Sequence, residues 1–151
     1  MSLESVRKWF ADHAPDIEVL VTETSSATVA EAAATHRVAP GQIAKTICVR
    51  AGEKVLLIVT SGAARLDNKK FKAAFGARPR MLDAEEVLAL TGHPVGGVCP
   101  FGLATSLPVY CDISLKQFDV VVPAAGAGNA AVKIQTDRLA ALTHANWAEV
   151  C

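Results

Sequence analysis

Ile43-Ala44-Lys45-Thr46-Ile47-Cys48-Val49-Arg50, then Ala51-Gly52-Glu53, then Lys54-Val55-Leu56-Leu57-Ile58-Val59-Thr60-Ser61: two apolar runs joined by a short turn containing glycine read as a β-hairpin. Val55 to Val59 is apolar without interruption, which predicts a strand covered on both faces. Within Ile43 to Val49 one charged residue breaks the first run. Lys45 is a cation on an otherwise apolar strand, and its charge has to reach water or a partner. From the pattern alone it is either a lysine snorkelling to a solvent-facing position or a cation aimed at a phosphate or a developing oxyanion.

Outward from the hairpin, helical and strand signals alternate. Toward the N-terminus, Pro40-Gly41 breaks the chain, and Thr28 with Glu31 three residues later forms a capping box for an alanine-rich helix through His36. Ile17 to Thr24 reads as a strand, and Ser2 caps a first helix that turns Val6, Trp9, Phe10 and Ala14 to one side. On the other side Asp67 caps a basic helix ending at Gly76, Pro79 to Leu82 is a short strand, and Asp83 caps a helix through Thr91. Strands follow at Pro108 to Ile113, Phe118 to Pro123 and Ala130 to Gln135, with a helical turn at Ser114 to Gln117. Ala124 to Asn129 is a turn of small residues, and the last helix covers Thr136 to Thr143. Frequent hairpins among helices favour a mixed sheet with helices around it over a strictly parallel doubly wound one.

Length and composition set bounds. A chain of 151 residues with 51% hydrophobic residues suggests a single domain, 1–151, with a real core. Fifteen basic against fifteen acidic residues give a formal net charge of zero. That argues against a protein wrapping a nucleic acid backbone, DNA included, and leaves open one that touches only the end of an RNA. No apolar run reaches the roughly 20 residues of a membrane span. The stretch Met1 to Ala14 is charged and amphipathic, unlike a signal peptide, so the cytoplasm is the expected compartment. Cys48, Cys99, Cys111 and Cys151 lack paired C-x-x-C spacing, so no zinc site is expected.

The most unusual stretch is Gly92-His93-Pro94-Val95-Gly96-Gly97-Val98-Cys99-Pro100-Phe101-Gly102, which puts four glycines and two prolines into eleven residues. It has to be a loop with a fixed path, either a packed turn or a cradle whose N–H groups meet a ligand. Gly96 and Gly97 are placed to present N–H groups to a carbonyl or phosphate oxygen, yet the loop matches neither the P-loop nor the dinucleotide fingerprint. Cys99 and His93 invite a cysteine-hydrolase reading, which needs a base at hydrogen-bond distance and a third group to orient it. The plainer reading makes Cys99 a small pocket-wall residue and gives His93 a structural hydrogen bond. Gly126-Ala127-Gly128-Asn129 is a second glycine-rich turn. Arg65, Asp67, Lys69 and Lys70 read as a capped, solvated helix surface, with the two lysines open to an RNA backbone contact.

Taken together, Lys45, the run Arg65-Leu66-Asp67-Asn68-Lys69-Lys70, the glycine loop, Tyr110-Cys111-Asp112 and the turn Gly126 to Asn129 resemble the YbaK/prolyl-tRNA synthetase-associated editing domains. The string G-H-x-x-G-G-x-x-P-F-G is the specific part, and the match runs from about Thr22 to Leu142. The resemblance implies a mixed α/β fold with a strongly curved, partly barrel-like sheet flanked by helices. It also implies an activity, hydrolysis of the ester linking a wrong small amino acid to tRNA, with no metal and no cofactor. By the same resemblance Lys45 binds the terminal adenosine and fixes the ester, and N–H groups of Gly96, Gly97 and Val98 hold the ester carbonyl. Thr46, His93, Cys99, Pro100, Gly128 and Asn129 are then expected at the substrate. The implied partners are the aminoacyl-tRNA acceptor end and an aminoacyl-tRNA synthetase. Alanine-clearing members often carry asparagine directly after the lysine and a histidine in the late turn. This chain has Thr46 and Asn129 there, so alanine, cysteine, serine and small non-protein amino acids all stay open, and no side-chain general base is evident. The alternatives are a binding module that kept the pocket without the chemistry, and a Cys99-dependent hydrolase.

Overall fold

The computed structural model describes residues 2–151. Met1, where the amphipathic stretch and the expected domain begin, lies outside the described residues. Helix α1 (Ser2–His13) turns Val6 and Phe10 into the core, as its spacing predicts. Ser2 is not its cap: it lies within the helix and its hydroxyl bonds His93 Nδ1. Strand β1 (Leu20–Val21) is shorter than the predicted Ile17–Thr24, because its partner strand, Ala130–Ala131, offers only two residues.

Helix α2 (Val29–His36) starts where Thr28 Oγ1 accepts the Glu31 N–H at 3.1 Å. After a helical turn at Pro40–Gln42 come β2 (Ile43–Ala51) and β3 (Lys54–Ser61), the hairpin of the sequence reading. Asp67 caps α3 (Asn68–Phe75) by accepting the N–H groups of Lys69 and Lys70. Next are β4 (Pro79–Met81) and α4 (Ala84–Thr91), the latter capped by Asp83 through the Glu86 N–H. Strand β5 (Val109–Asp112), a helical turn at Ile113–Gln117, and β6 (Val120–Pro123) follow. The predicted strand Ala130–Gln135 is in fact two, β7 (Ala130–Ala131) and β8 (Ile134–Gln135), because β7 pairs β1 while β8 pairs β6. Helix α5 (Thr136–Leu142) leads to β9 (Asn146–Ala148), a strand the sequence did not announce.

The main sheet has seven strands in the order β8-β6-β2-β3-β5-β9, with β4 also on β2. Pairing is mixed: β2 is antiparallel to β3 and β4 and parallel to β6, and β3–β5–β9 run parallel. The sheet curls into a half-barrel flanked by the five helices, the mixed, strongly curved architecture expected. Period two splits the hairpin between two cores. Leu57 and Val59, with Ala44 and Cys48, pack in the larger core with Val6, Phe10 and Phe101. Val49, Leu56 and Ile58 pack with Phe71 of α3 and Val150. Leu57, Ile58 and Val59 are each 0% exposed, so the uninterrupted apolar run is explained by cover on both faces. Each such side chain stabilises the fold by about 1.5–3 kcal/mol relative to an exposed one.

Asp112 fastens the C-terminal segment. One carboxylate oxygen accepts the Val150 N–H at 2.8 Å and the other the Ser114 N–H at 2.9 Å. Burial works against its charge, but these bonds together with the Ser114 and Cys151 side chains outweigh it and hold the carboxyl below its ordinary value. Among the described residues no helix is long and apolar enough to cross a membrane, and no group of three His, Cys, Asp or Glu side chains comes together as a metal site requires.

Candidate active site

The site is a break in the β-ladder. On the edge of β2 away from β3, β6 pairs only Ile43 and Ala44, and β4 pairs only Val49 to Ala51. Between them, Lys45 to Cys48 have no strand partner on that side. The alternation is fixed by Gly62, whose N–H donates to Ile43 O at 2.7 Å. In an antiparallel ladder successive residues turn their main-chain groups to opposite edges. Odd-numbered β2 residues therefore face β3, while Thr46 and Cys48 turn their N–H and C=O groups toward the break.

A cavity of about 290 Å³ fills this break. One wall is the α2 approach, with Ala27, Val29 and Ala32, and another is Met81, Leu82 and Val87 of the β4–α4 segment. Val95, Gly96 and Val98 of the glycine loop close over it, and Val122, Ala124 and Ala131 complete the lining. Lys45 and Thr46 both line it. As neighbours on a strand they point to opposite faces. The Lys45 ammonium donates to Ala64 O at 3.1 Å in the loop after β3. Among the described residues no carboxylate pairs with it, so it remains an unneutralised cation. Thr46 Oγ1, by contrast, is buried with no hydrogen-bond partner.

The glycine loop owes its path to two close approaches. Gly97 N–H donates to Pro94 O at 2.9 Å, closing a four-residue turn with Gly96 third at φ +93°, the position where a type II turn calls for glycine. Gly97 in turn lies against the Gly126–Ala127 backbone, where an added Cβ would come within 2.5 Å of Ala127 N. Gly126 N–H donates to Gly97 O at 3.0 Å. One expectation is thereby corrected: the Gly97 N–H is engaged inside the loop and does not face a ligand. The N–H groups of Gly96 and Val98 have no partner among the described residues, and both residues line the cavity.

For His93 the plainer reading holds, a structural hydrogen bond, and its expected place at the substrate is corrected. It is 0% exposed and absent from the cavity wall. Its Nε2 faces Phe101 O at 2.7 Å and its Nδ1 the Ser2 hydroxyl. A carbonyl only accepts, so Nε2 carries the proton, and Nδ1 accepts from Ser2. Burial pushes the imidazole pKa down, against a smaller upward pull from the Phe101 carbonyl. Cys99 lies beneath the loop, 0% exposed, its thiol pushed up to about 12 by burial. With His93 bonded elsewhere and Cys99 bonded to Phe101 O at 3.7 Å, the pair the cysteine-hydrolase reading needs is not assembled. Pro100 is likewise buried off the cavity. Asn129 does not stand in for a histidine, since its amide donates to Thr22 O at 3.0 Å. Gly128 O accepts the Ser26 N–H at 2.7 Å, so this turn buttresses the Ser26–Ala27 wall from behind. Sequence reasoning missed the walls supplied by Ala27, Met81 and Val87, which carry no signal beyond being small or apolar.

Fold and cavity define a mixed α/β domain with an apolar cavity at an open stretch of its own sheet. Residues 23–142 match the family model described as aminoacyl-tRNA editing domain, and the chain belongs to that family. The Bacillus subtilis (strain 168) protein YwhH is 46% identical over 153 residues, spanning 100% of this chain and 98% of its own length. An Enterococcus faecalis protein named as a candidate Cys-tRNA(Pro)/Cys-tRNA(Cys) deacylase, EbsC, is 29% identical over 113 residues, 73% of this chain and 68% of that one. A crystal structure described as a candidate trans-editing enzyme for prolyl tRNA synthetase superposes with a TM-score of 0.91 at 32% identity, covering 99% of this chain and 96% of that one.

Proposed function

We propose that this protein is a trans-acting deacylase, one editing domain over residues 1–151, that hydrolyses the ester of a small amino acid wrongly attached to a tRNA. The observation that carries the reading is that Lys45, Gly96 and Val98 all line one apolar cavity, with the Lys45 ammonium at Ala64 O. The Lys45 ammonium would hold the phosphate or ribose of the terminal adenosine. The Gly96 and Val98 N–H groups would take the ester carbonyl oxygen and stabilise the oxyanion as it forms. Water adds to the carbonyl carbon, the bond to the ribose oxygen breaks, that oxygen takes a proton, and the free amino acid leaves. No carboxylate or imidazole lines the cavity; by the family resemblance, the substrate's own neighbouring ribose hydroxyl would guide the water. Walls of alanine and valine suit a small side chain. Such a second sieve is needed because a synthetase site separates amino acids differing by a methylene by only about 1–3 kcal/mol.

The names of the relatives support tRNA(Pro) or a related tRNA as the carrier, with a synthetase as partner. Charge supports an approach by the acceptor end. In a chain of net charge zero, the segment 65–80 holds Arg65, Lys69, Lys70, Lys72, Arg78 and Arg80 against the single acid Asp67. Its strand β4 runs directly into the cavity wall at Met81.

The test is deacylation of a panel of tRNAs carrying alanine, cysteine, serine or 2-aminobutyrate, with wild type and Lys45→Ala side by side. Turnover of one or two pairings, lowered at least about 100-fold in the variant, is the expected result. A fully active variant would remove Lys45 from the mechanism. An inert wild type would leave a binding module as the reading.

A further inference from the structure

We propose that Thr46 is the receptor for the substrate's α-ammonium group, taken up by its main-chain carbonyl at the open stretch of β2 and by its side-chain hydroxyl. The inference rests on the deacylase reading and names a contact within that site. Buried main-chain groups are almost always paired. Here the ladder stops on both sides of Thr46, which turns its N–H and C=O into an apolar cavity with no strand to meet them. An aminoacyl ester carries the atoms that a paired strand residue would bring: a nitrogen donor, a Cα and a carbonyl. Its carbonyl oxygen is claimed by Gly96 and Val98 on the facing loop, which leaves the ammonium for β2.

Two further observations single out this residue. An ammonium entering the cavity finds no Asp or Glu in its wall, and burying it requires acceptors. In addition, Thr46 Oγ1 is buried without a partner, so rotating it onto a ligand breaks no existing bond. A threonine hydroxyl has two acceptor lone pairs, and with the carbonyl of the same residue it provides two oxygens for the three N–H groups of an ammonium. Lys45 points to the other face of the strand, where its ammonium donates to Ala64 O.

The test compares the aminoacyl ester the protein turns over fastest with the matching 2-hydroxyacyl ester on the same tRNA, each rate divided by spontaneous hydrolysis. The hydroxyacyl ester should fall about 100-fold in normalised kcat/KM, because its neutral hydroxyl offers one O–H donor where the ammonium offers three charged N–H donors. Thr46→Val keeps the shape and removes only the hydroxyl. It should slow the aminoacyl ester about tenfold and the hydroxyacyl ester clearly less, because a neutral O–H loses a weaker bond than a charged N–H does. Equal normalised rates for the two esters, or a Thr46→Val effect of the same size on both, would overturn the assignment. Absence of turnover on every aminoacyl ester would defeat the deacylase reading instead. Binding of a non-hydrolysable amide analogue of the aminoacyl-adenosine end, with and without its amino group, then reads the same contact. At least tenfold weaker binding without the amino group supports it, and equal affinity refutes it.

Discussion

Gly97→Ala is the sharpest perturbation of the proposed carbonyl-binding loop. The new Cβ would lie 2.5 Å from Ala127 N and 2.6 Å from Gly126 C, both backbone atoms, while ordinary contact begins at 3.4 Å. The loop and the turn must therefore separate by about 0.9 Å. Neither yields as the end of a flexible side chain would, because Gly126 N–H is bonded to Gly97 O across the contact. Overpacking of this kind costs about 1–3 kcal/mol of stability, which for about 150 residues lowers Tm by roughly 2–4 °C per kcal/mol. The effect on rate should be larger. A misplacement near 1 Å costs on the order of 100-fold, about 2.7 kcal/mol of barrier, as Gly96 and Val98 on either side of Gly97 carry their N–H groups off the ester oxygen. The assay is single-turnover deacylation at saturating enzyme, below the variant's melting temperature, paired with a thermal melt. A variant that melts a few degrees lower yet deacylates at the wild-type rate would refute the claim that the loop's seat on the Gly126–Ala127 turn sets the position of the donors.

Acid should destabilise the fold through its buried imidazoles. His93 and His36 both have pKa values lowered from 6.5, chiefly by burial, so the folded state favours their neutral forms. Their contribution is fully present above the unfolded value of 6.5 and is lost as pH falls below it toward the folded values. Tm should be level from pH 8 to 7 and decline below about 6.5, and His93→Gln should melt lower at pH 7 with a shallower decline; an equally steep decline in the variant would remove His93 from the account. Lys69→Glu with Lys72→Glu, two exposed positions on α3, should weaken tRNA binding and reduce the slope of log K against log salt by about one for each phosphate no longer neutralised. An unchanged slope would place the acceptor end elsewhere.

Much of the fold was legible because its signals are local. Thr28, Asp67 and Asp83 cap helices through bonds spanning two or three residues, and glycine marks the ends of α3 and α4. The hairpin declared itself by apolar runs and a glycine turn. What failed was decided at a distance. Ala130 to Gln135 reads as one strand, and it divides because its two ends belong to different partners. Strand β9 has no alternation to betray it and exists through its parallel pairing with β5, beside the bond from Val150 to Asp112. The site divides the same way. Lys45 and the glycine loop stand out as residues in the wrong company for their elements. The break beside Thr46 is an absent neighbour, and no residue type records that. The fate of the Gly97 N–H and of the His93 ring depends on Pro94, Ser2 and Phe101 meeting them, which only the folded chain arranges.

A β-strand with unsatisfied edge groups is ordinarily a hazard, since another chain can add itself there and seed aggregation. The open stretch of β2 lies between two pairing strands and under the Val95–Val98 roof, where a stranger's strand has no room to lie down. On the proposed deacylase reading, an aminoacyl end, a guest the length of a single residue, does. The domain thus keeps the stickiness of an unfinished sheet while screening by length what can reach it, and any change that lifts the roof should show first as self-association.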